Sequence, residues 1–327
     1  MQRLAIGKSN PPKSGLSKSS AVIVPREPLI QNVIRHRYLY LLALPGIAFF
    51  IMFRIIPSLG SVIAWQDFNI FAGIFKSEWV GWKNFRDMVA YYNFGRILRN
   101  SLLIGLYKVL FTFPPPLILA LLLNEVRRLT FKRTVQTLVY MPHFLSWVIV
   151  SQIFISILSP QGGVVNILLE RFFGIEPIFF MGKEAYFRPI VVISSIWKES
   201  GFESIIYLAS LAAISSELYE AAAIDGASRW QQLWRVTLPS LLSTIIILFL
   251  LRIGRFLEIG FDQIFTLANP LVWPVADIFD TYVYRKGLLQ GAYSVTTAVN
   301  LFKTVVGFVL LLGGNAMAKR LTGRSLF

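Results

Sequence analysis

Two clusters of charge interrupt long apolar runs, and these residues are best placed to do chemistry. Trp197-Lys198-Glu199-Ser200-Gly201 lies inside one such run, and Arg252, Arg255 and Glu258 lie inside the next. A charge at the centre of a bilayer costs about 2.5–3.5 kcal/mol, so such residues face a cavity or a partner rather than lipid. At helical spacing Arg252 and Arg255 share a face, with Glu258 three residues beyond Arg255. Aromatic faces beside polar groups can hold a polar ligand, so Trp197 with this cluster reads as a candidate site on a path for a polar solute. Uncompensated cations there would suit an anionic one. The same residues would equally brace two helices through ion pairs such as Lys198–Glu258 or Arg255–Glu199. The sequence leaves both readings open.

Other chemistry is thinly supplied. The two histidines, His36 and His143, are far apart with no ligand spacing, and there is no cysteine. No metal site and no catalytic set of acid, base and nucleophile is expected. His143 follows Pro142 and reads as a structural or interfacial residue. Gly7-Lys8-Ser9 mimics the end of a phosphate-binding loop, but position 2 is Gln and no strand precedes it. Arg54, Lys108 and Lys303 also fall within apolar runs, where snorkelling or structural pairing is expected.

The elements that position these residues are set by composition. The 327 residues are 55% hydrophobic, with mean hydropathy +0.61, and only 15% are charged. A soluble chain carries about 25% charge. Six apolar stretches are each long enough to cross a bilayer, at about 39–65, 100–123, 134–158, 189–213, 239–259 and 294–318. Their continuity, without period-2 alternation, requires helices rather than a barrel. The fold class is an all-α membrane protein with six transmembrane helices. Pro142, Pro189 and Pro239 are expected near helix starts, and Pro114-Pro115-Pro116 should kink the second span.

The net charge of +15 raises nucleic acid as a partner, but the distribution of charge argues for membrane lipid instead. Residues 1–38 form a basic, Ser/Pro-rich stretch without a signal-peptide core, expected to be a flexible tail before a membrane domain over 39–327. Segments 1–38, 124–133, 214–238 and 319–327 carry 16 Lys and Arg, against 10 in the longer alternate segments. By the positive-inside rule both termini and segment 214–238 are cytoplasmic.

That segment has its own grammar. Ser216 is expected to cap a short helix with Glu217 in its first turn. Leu218, Ala221 and Ala222 share a face, and Gly226 can end the helix in a left-handed conformation. Ser228 and Gln231 form a capping box for a second helix with an apolar face of Trp230, Leu233 and Trp234. Leu238-Pro239 is then expected to turn the chain back into the membrane.

Glu220-Ala221-Ala222, Gly226 and Leu238-Pro239 stand where they do in the EAA loop of permease subunits of binding-protein-dependent ABC importers, which this segment resembles. Val236 departs mildly, since the family usually has Ile there. Leu44-Pro45, Phe53 and Pro57 are similar to the first helix of sugar-uptake permeases. Trp79 to Phe85, Asn100-Ser101, Arg133, Tyr140 to His143 and Pro160 to Asn166 follow in the family's order. The resemblance covers nearly the whole chain from residue 40 and is closest to permeases for complex oligosaccharides.

The resemblance implies a type I ABC importer transmembrane domain in a bacterial cytoplasmic (inner) membrane. Its implied partners are a second homologous permease subunit, two ATP-binding subunits and an extracytoplasmic sugar-binding protein. ATP and Mg would be held by the ATPase subunits, with no cofactor in this chain. Glu220, Ala221, Ala222, Asp225 and Gly226 would contact the ATPase: Glu220 by polar pairing, the alanines by close docking, Gly226 as the turn. The implied cargo is an oligosaccharide, and the intramembrane cations narrow it to an acidic polysaccharide such as alginate. The rival classes are a secondary transporter, which has no use for an ATPase-docking loop, and a membrane-embedded glycan or lipid enzyme.

Overall fold

A computed structural model describes residues 35–323. The tail expected over 1–38 therefore lies almost wholly outside the described residues. Among the described residues four helices are long and apolar enough to cross a membrane: Arg37–Trp65, Phe94–Glu125, Arg229–Gly254 and Tyr293–Arg320. Two further runs are bent pairs, Leu129–Phe144 with Trp147–Ile157 at 105° and Glu184–Ala212 with Ser216–Ile224 at 67°. Counting each pair as one span gives six. Among the described residues the only strands are Gln66–Asp67 and Glu78–Trp79, paired antiparallel.

The described residues up to Leu59 and those from Gly60 onward form two compact units. In the first, the helical run from Arg37 to Leu59 contains a π turn at Ile51–Ile55 and buries none of its residues. The same device appears in the second unit at Leu233–Thr237. In both cases a proline follows within two residues, Pro57 and Pro239, and the residue before it donates to a carbonyl five positions back. Proline cannot supply the next i→i−4 bond, and the wider turn accommodates that loss.

This geometry corrects the expected fifth span. No reversal occurs at Leu238-Pro239; the helix that the Ser228–Gln231 box starts runs through the π turn to Gly254. The span thus begins about ten residues earlier than expected and stops five earlier. The third span is also corrected. Pro142 sits in a 3-10 turn, Met141–Phe144, ahead of a sharp bend, and Ser146 caps the helix that follows by accepting from Ile149 N at 3.3 Å. Pro189 lies inside the helix Glu184–Ala212 rather than at its start.

The proline triplet interrupts the second span at Phe113, between helices Phe94–Thr112 and Pro114–Glu125. Phe113 keeps helical dihedrals, so the span continues.

Three apolar clusters hold the second unit. One joins Ile104, Val150, Phe187 and Val191 to Ile259, Ile264, Leu267 and Ile278. A second packs Met88 and Ile97 with Leu257, Phe279 and Val299. The third gathers Ala120, Tyr207, Leu211 and Leu241. Residues 264–282, within the segment 260–293 that lies between the expected fifth and sixth spans, thus contribute to the core. Two buried polar groups of this segment, Gln263 and Asp277, find partners, as burial demands. Gln263 Nε2 donates to Val191 O at 2.7 Å and lies 2.9 Å from Ser194 Oγ and Ser195 Oγ. Asp277 accepts both Arg285 guanidinium nitrogens, at 3.0 and 2.8 Å.

Several residues of the ordered motifs tie loops to spans. Asn84 donates to Ala64 O and Gln66 O, Asn100 to Pro274 O and Asp277 O, and Asn166 to three carbonyls between Leu158 and Ile178. Ser101 Oγ accepts from Phe279 N at 3.1 Å. Short polar side chains at these positions hold irregular backbone whose carbonyls have no helical partner.

Candidate functional site

A cavity of about 580 Å³ opens between the second, fourth and fifth spans. Its charged lining comprises Lys108, Glu199, Glu203, Arg252, Arg255 and Glu258, with Trp147 on one wall. Two glycines seat the stretch where the fifth span ends. A Cβ on Gly105 would meet Phe256 O at 2.7 Å, and one on Gly307 would meet Gly254 O at 2.5 Å. Backbone therefore approaches backbone on both sides of the break.

The break moves two expected residues off the helical face. Arg255 is the C-cap, with φ −101° and ψ 21°, and Glu258 N donates to Arg255 O in the turn beyond. Arg252 and Arg255 do not share a helix face. Neither Lys198–Glu258 nor Arg255–Glu199 forms. Instead Arg252 pairs with Glu203 at 3.0 Å and also donates to Thr112 Oγ1. Arg252 is thus compensated, and three cations face three carboxylates around the cavity. Arg255 and Glu258, by contrast, form no ion pair among the described residues.

Trp197 does not line the cavity; its ring lies edge-on to Phe154 at 5.9 Å. Lys198 is buried behind the wall, donating to His143 O at 2.6 Å and lying 5.4 Å from the Trp147 ring centroid. Glu199 Oε2 meets His143 Nδ1 at 2.7 Å, and that ring stacks on Phe202 at 3.9 Å. Gly201 is a point of close contact. A Cβ there would lie 1.9 Å from Val139 O, so the glycine lets the fourth span rest directly on the helix Leu129–Tyr140.

Two charged lining residues, Glu203 and Lys108, are not singled out as cavity residues by the sequence. Glu203 stands one turn beyond Glu199, which was the available signal. Lys108 was read only as snorkelling or paired, yet its Nζ donates to Ile259 O at 2.7 Å and Gln263 Oε1 at 2.9 Å. Lys303 pairs with Asp280.

Residues 215–232 form two capped helices around a glycine. The first cap is Ser215, not Ser216; its side chain accepts from Glu217 N at 3.3 Å. Helix Ser216–Ile224 closes with Gly226 at φ +78°, Ala227 N donating to Ala222 O and Gly226 N to Ala223 O. This is the double bond pattern of a glycine-terminated helix. Ser228 and Gln231 then exchange bonds as a capping box. Glu220, Ala221, Asp225 and Gly226 are exposed and Ala222 is half-buried. The unit is tied at two points: Tyr219 Oη lies 3.0 Å from Thr237 Oγ1 on the fifth span, and Arg229 pairs at 2.8 Å with Glu125, which ends the second.

Comparison with known proteins places this architecture. Residues 88–323 match the family of binding-protein-dependent transport system inner membrane components. The chain belongs to this family. It is 48% identical to Protein LplB of Bacillus subtilis, over 90% of this chain and 92% of that one. It is 46% identical to the Bacillus subtilis polygalacturonan/rhamnogalacturonan transport system permease protein YteP, with the same coverage. A chain from the crystal structure of a bacterial ABC transporter involved in import of the acidic polysaccharide alginate superposes with a TM-score of 0.81 at 39% identity, covering 90% of this chain and all of that one. A second structure, of the bacterial alginate ABC transporter in complex with an alginate pentasaccharide-bound periplasmic protein, gives 0.82 at 38% identity, covering 92% of this chain and all of that one. The permease is a multi-pass inner-membrane protein with the type I importer transmembrane fold. It is a transport subunit rather than an enzyme, which removes the glycan- or lipid-enzyme and secondary-transporter classes.

Proposed function

We propose that this permease forms half of the translocation path for an acidic oligosaccharide and is driven by ATPase subunits that bind its 215–232 unit. The observation that carries the substrate reading is the cavity, which presents Lys108, Arg252 and Arg255, with no carboxylate paired to Arg255 among the described residues. The acidic polysaccharides named for the relatives support the same class. Glu203 holds Arg252 here, so a uronate carboxylate would exchange for Glu203 rather than meet an idle charge. Charge-assisted bonds to Arg favour such planar carboxylates.

Both termini are proposed to be cytoplasmic, with a second homologous permease completing the path and an extracytoplasmic sugar-binding protein delivering cargo. ATP and Mg would act on the two ATPase subunits. Closure of that pair would displace helix Ser216–Ile224. Glu220 would pair with the ATPase, Ala221 and Ala222 would admit close docking, and Asp225 with Gly226 would form the turn. Tyr219–Thr237 and Arg229–Glu125 lead from this unit into the fifth and second spans, which carry Arg252 and Lys108. Coupling of this kind needs a two-state element that both sites bias.

The test is the ATPase activity of the complete importer in liposomes, with its binding protein, across oligogalacturonate, alginate and neutral oligosaccharides. Stimulation confined to the acidic oligomers is expected. Equal stimulation by neutral oligomers overturns the substrate reading.

A further inference from the structure

We propose that residues Ile70, Phe71 and Phe75 form a preformed anchor that inserts into the interfacial layer of the surrounding lipid bilayer. Phe71 and Phe75 are fully exposed, at 100% and 102% of the reference area, and Ile70 is 61% exposed. A rigid loop seldom displays two complete phenyl rings to water.

This loop is rigid. Its base is the two-residue strand pair joining Gln66 to Trp79. Gln66 Nε2 donates to Ile74 O at 2.9 Å, and Ser77 Oγ donates to Gly73 O at 2.7 Å while accepting from Asn69 N at 3.1 Å. Asn69 Oδ1 accepts from Phe71 N, and Gly73 turns the chain at φ +70°. The two rings are presented by backbone bonding, not left over from a missing core.

Lipid is favoured over a protein partner by depth and charge. The last span opens at Tyr293, and the loop is pinned there: Phe68 N donates to Ser294 Oγ at 2.9 Å, and the Phe68 ring lies edge-on to Tyr293 at 6.3 Å. Residues Tyr293–Arg320 number 28, a length of about 42 Å at 1.5 Å per residue, which matches a bilayer with its headgroups. Phe68 therefore sits near headgroup level, and three further residues carry the chain at most about 10 Å to Phe71. Between Asp67 and Glu78 the loop has no acidic residue and one lysine, Lys76. Apolar and aromatic tips beside a single cation are the composition of an interfacial segment. Trp79 and Trp82, which follow the loop in sequence, are both exposed as well.

The chain has no native cysteine, so Phe71→Cys and Phe75→Cys give single spin-label sites in it. The complete importer in liposomes is labelled, and signal from cysteines in other subunits is subtracted using the wild-type chain. Collision with dissolved oxygen and with a water-soluble nickel chelate is then compared. The expected result is greater access for oxygen than for nickel at both positions, and the reverse at Asp87→Cys, an exposed polar control. Nickel access at both phenylalanine positions overturns the proposal. Protection from nickel that appears only on adding the sugar-binding protein also overturns it, and assigns the loop to protein docking. Neither result bears on the substrate reading.

Discussion

Arg252 of the fifth span donates to Glu203 of the fourth at 3.0 Å, and its other terminal nitrogen donates to Thr112 of the second. One guanidinium thereby joins three spans at the cavity wall. Removing it should both loosen the wall and delete a carboxylate partner. Arg252→Gln is expected to reduce uptake of an acidic oligomer more than that of a neutral one, and Arg255→Gln to do the same with a smaller effect on thermal stability, since Arg255 has no ion pair to lose. Initial uptake rates of both substrates, with unfolding midpoints, check this. Equal loss on both substrates would count against a charge-reading role.

Glu203→Gln separates pairing from binding. It frees Arg252 from its internal carboxylate while keeping a hydrogen-bond acceptor in place. Acidic oligomers should then stimulate ATPase activity at lower concentration, because the substrate no longer displaces an internal anion. The half-maximal concentration in liposomes reads the shift. An unchanged or raised value would show that Glu203 does not compete with cargo.

Gly226 sits at φ +78°, where a β-branched residue is strained by about 1–2 kcal/mol or more. Gly226→Val should abolish transport and weaken ATPase co-purification while membrane insertion persists. Asn enters the left-handed region far more readily, so Gly226→Asn should retain much of the activity. Glu220→Lys should match the valine variant through reversed charge. A transport-competent, ATPase-bound Gly226→Val protein would refute the assignment of this unit.

Gly201→Ala places a methyl 1.9 Å from Val139 O, and backbone cannot yield as a flexible side-chain tip would. Overpacking of this kind costs about 1–3 kcal/mol. Gly313→Ala, with nothing within 4 Å of its added methyl, should be close to neutral. Thermal unfolding of the two variants in one detergent tests the contrast.

Tyr219→Phe removes the hydroxyl bond to Thr237 without altering the exposed face of helix Ser216–Ile224. ATPase binding should persist, while the amount transported per ATP hydrolysed falls. An unchanged ratio would indicate that movement reaches the fifth span by the peptide chain alone.

Most of the span pattern was readable because each run is apolar beyond what a soluble core needs. The caps at Ser228–Gln231 and the left-handed Gly226 were readable because their chemistry is local. What escaped was set by contacts distant in sequence. In Ile253-Gly254-Arg255-Phe256 only Gly254 hints that the helix stops, and the close approach of Gly307 and Gly105 to this backbone is not legible in the sequence. The helical extrapolation to Arg255 and Glu258 failed for that reason. The segment after Gly260 lies between two apolar runs and carries no span of its own in the sequence, yet Gln263 and Asp277 are buried with their partners supplied by Ser194, Ser195 and Arg285. Pro239 suggested a corner, and a π turn upstream removed the need for one.

The two glycine contacts at Gly254 and Phe256 restrict how this wall can travel. Chain against chain at such spacing leaves no side-chain cushion along which one rod might slide past another. Any movement of this wall should therefore carry the end of the fifth span together with the interior of the second and sixth as a single pivoting block, and Arg252 and Lys108 with them.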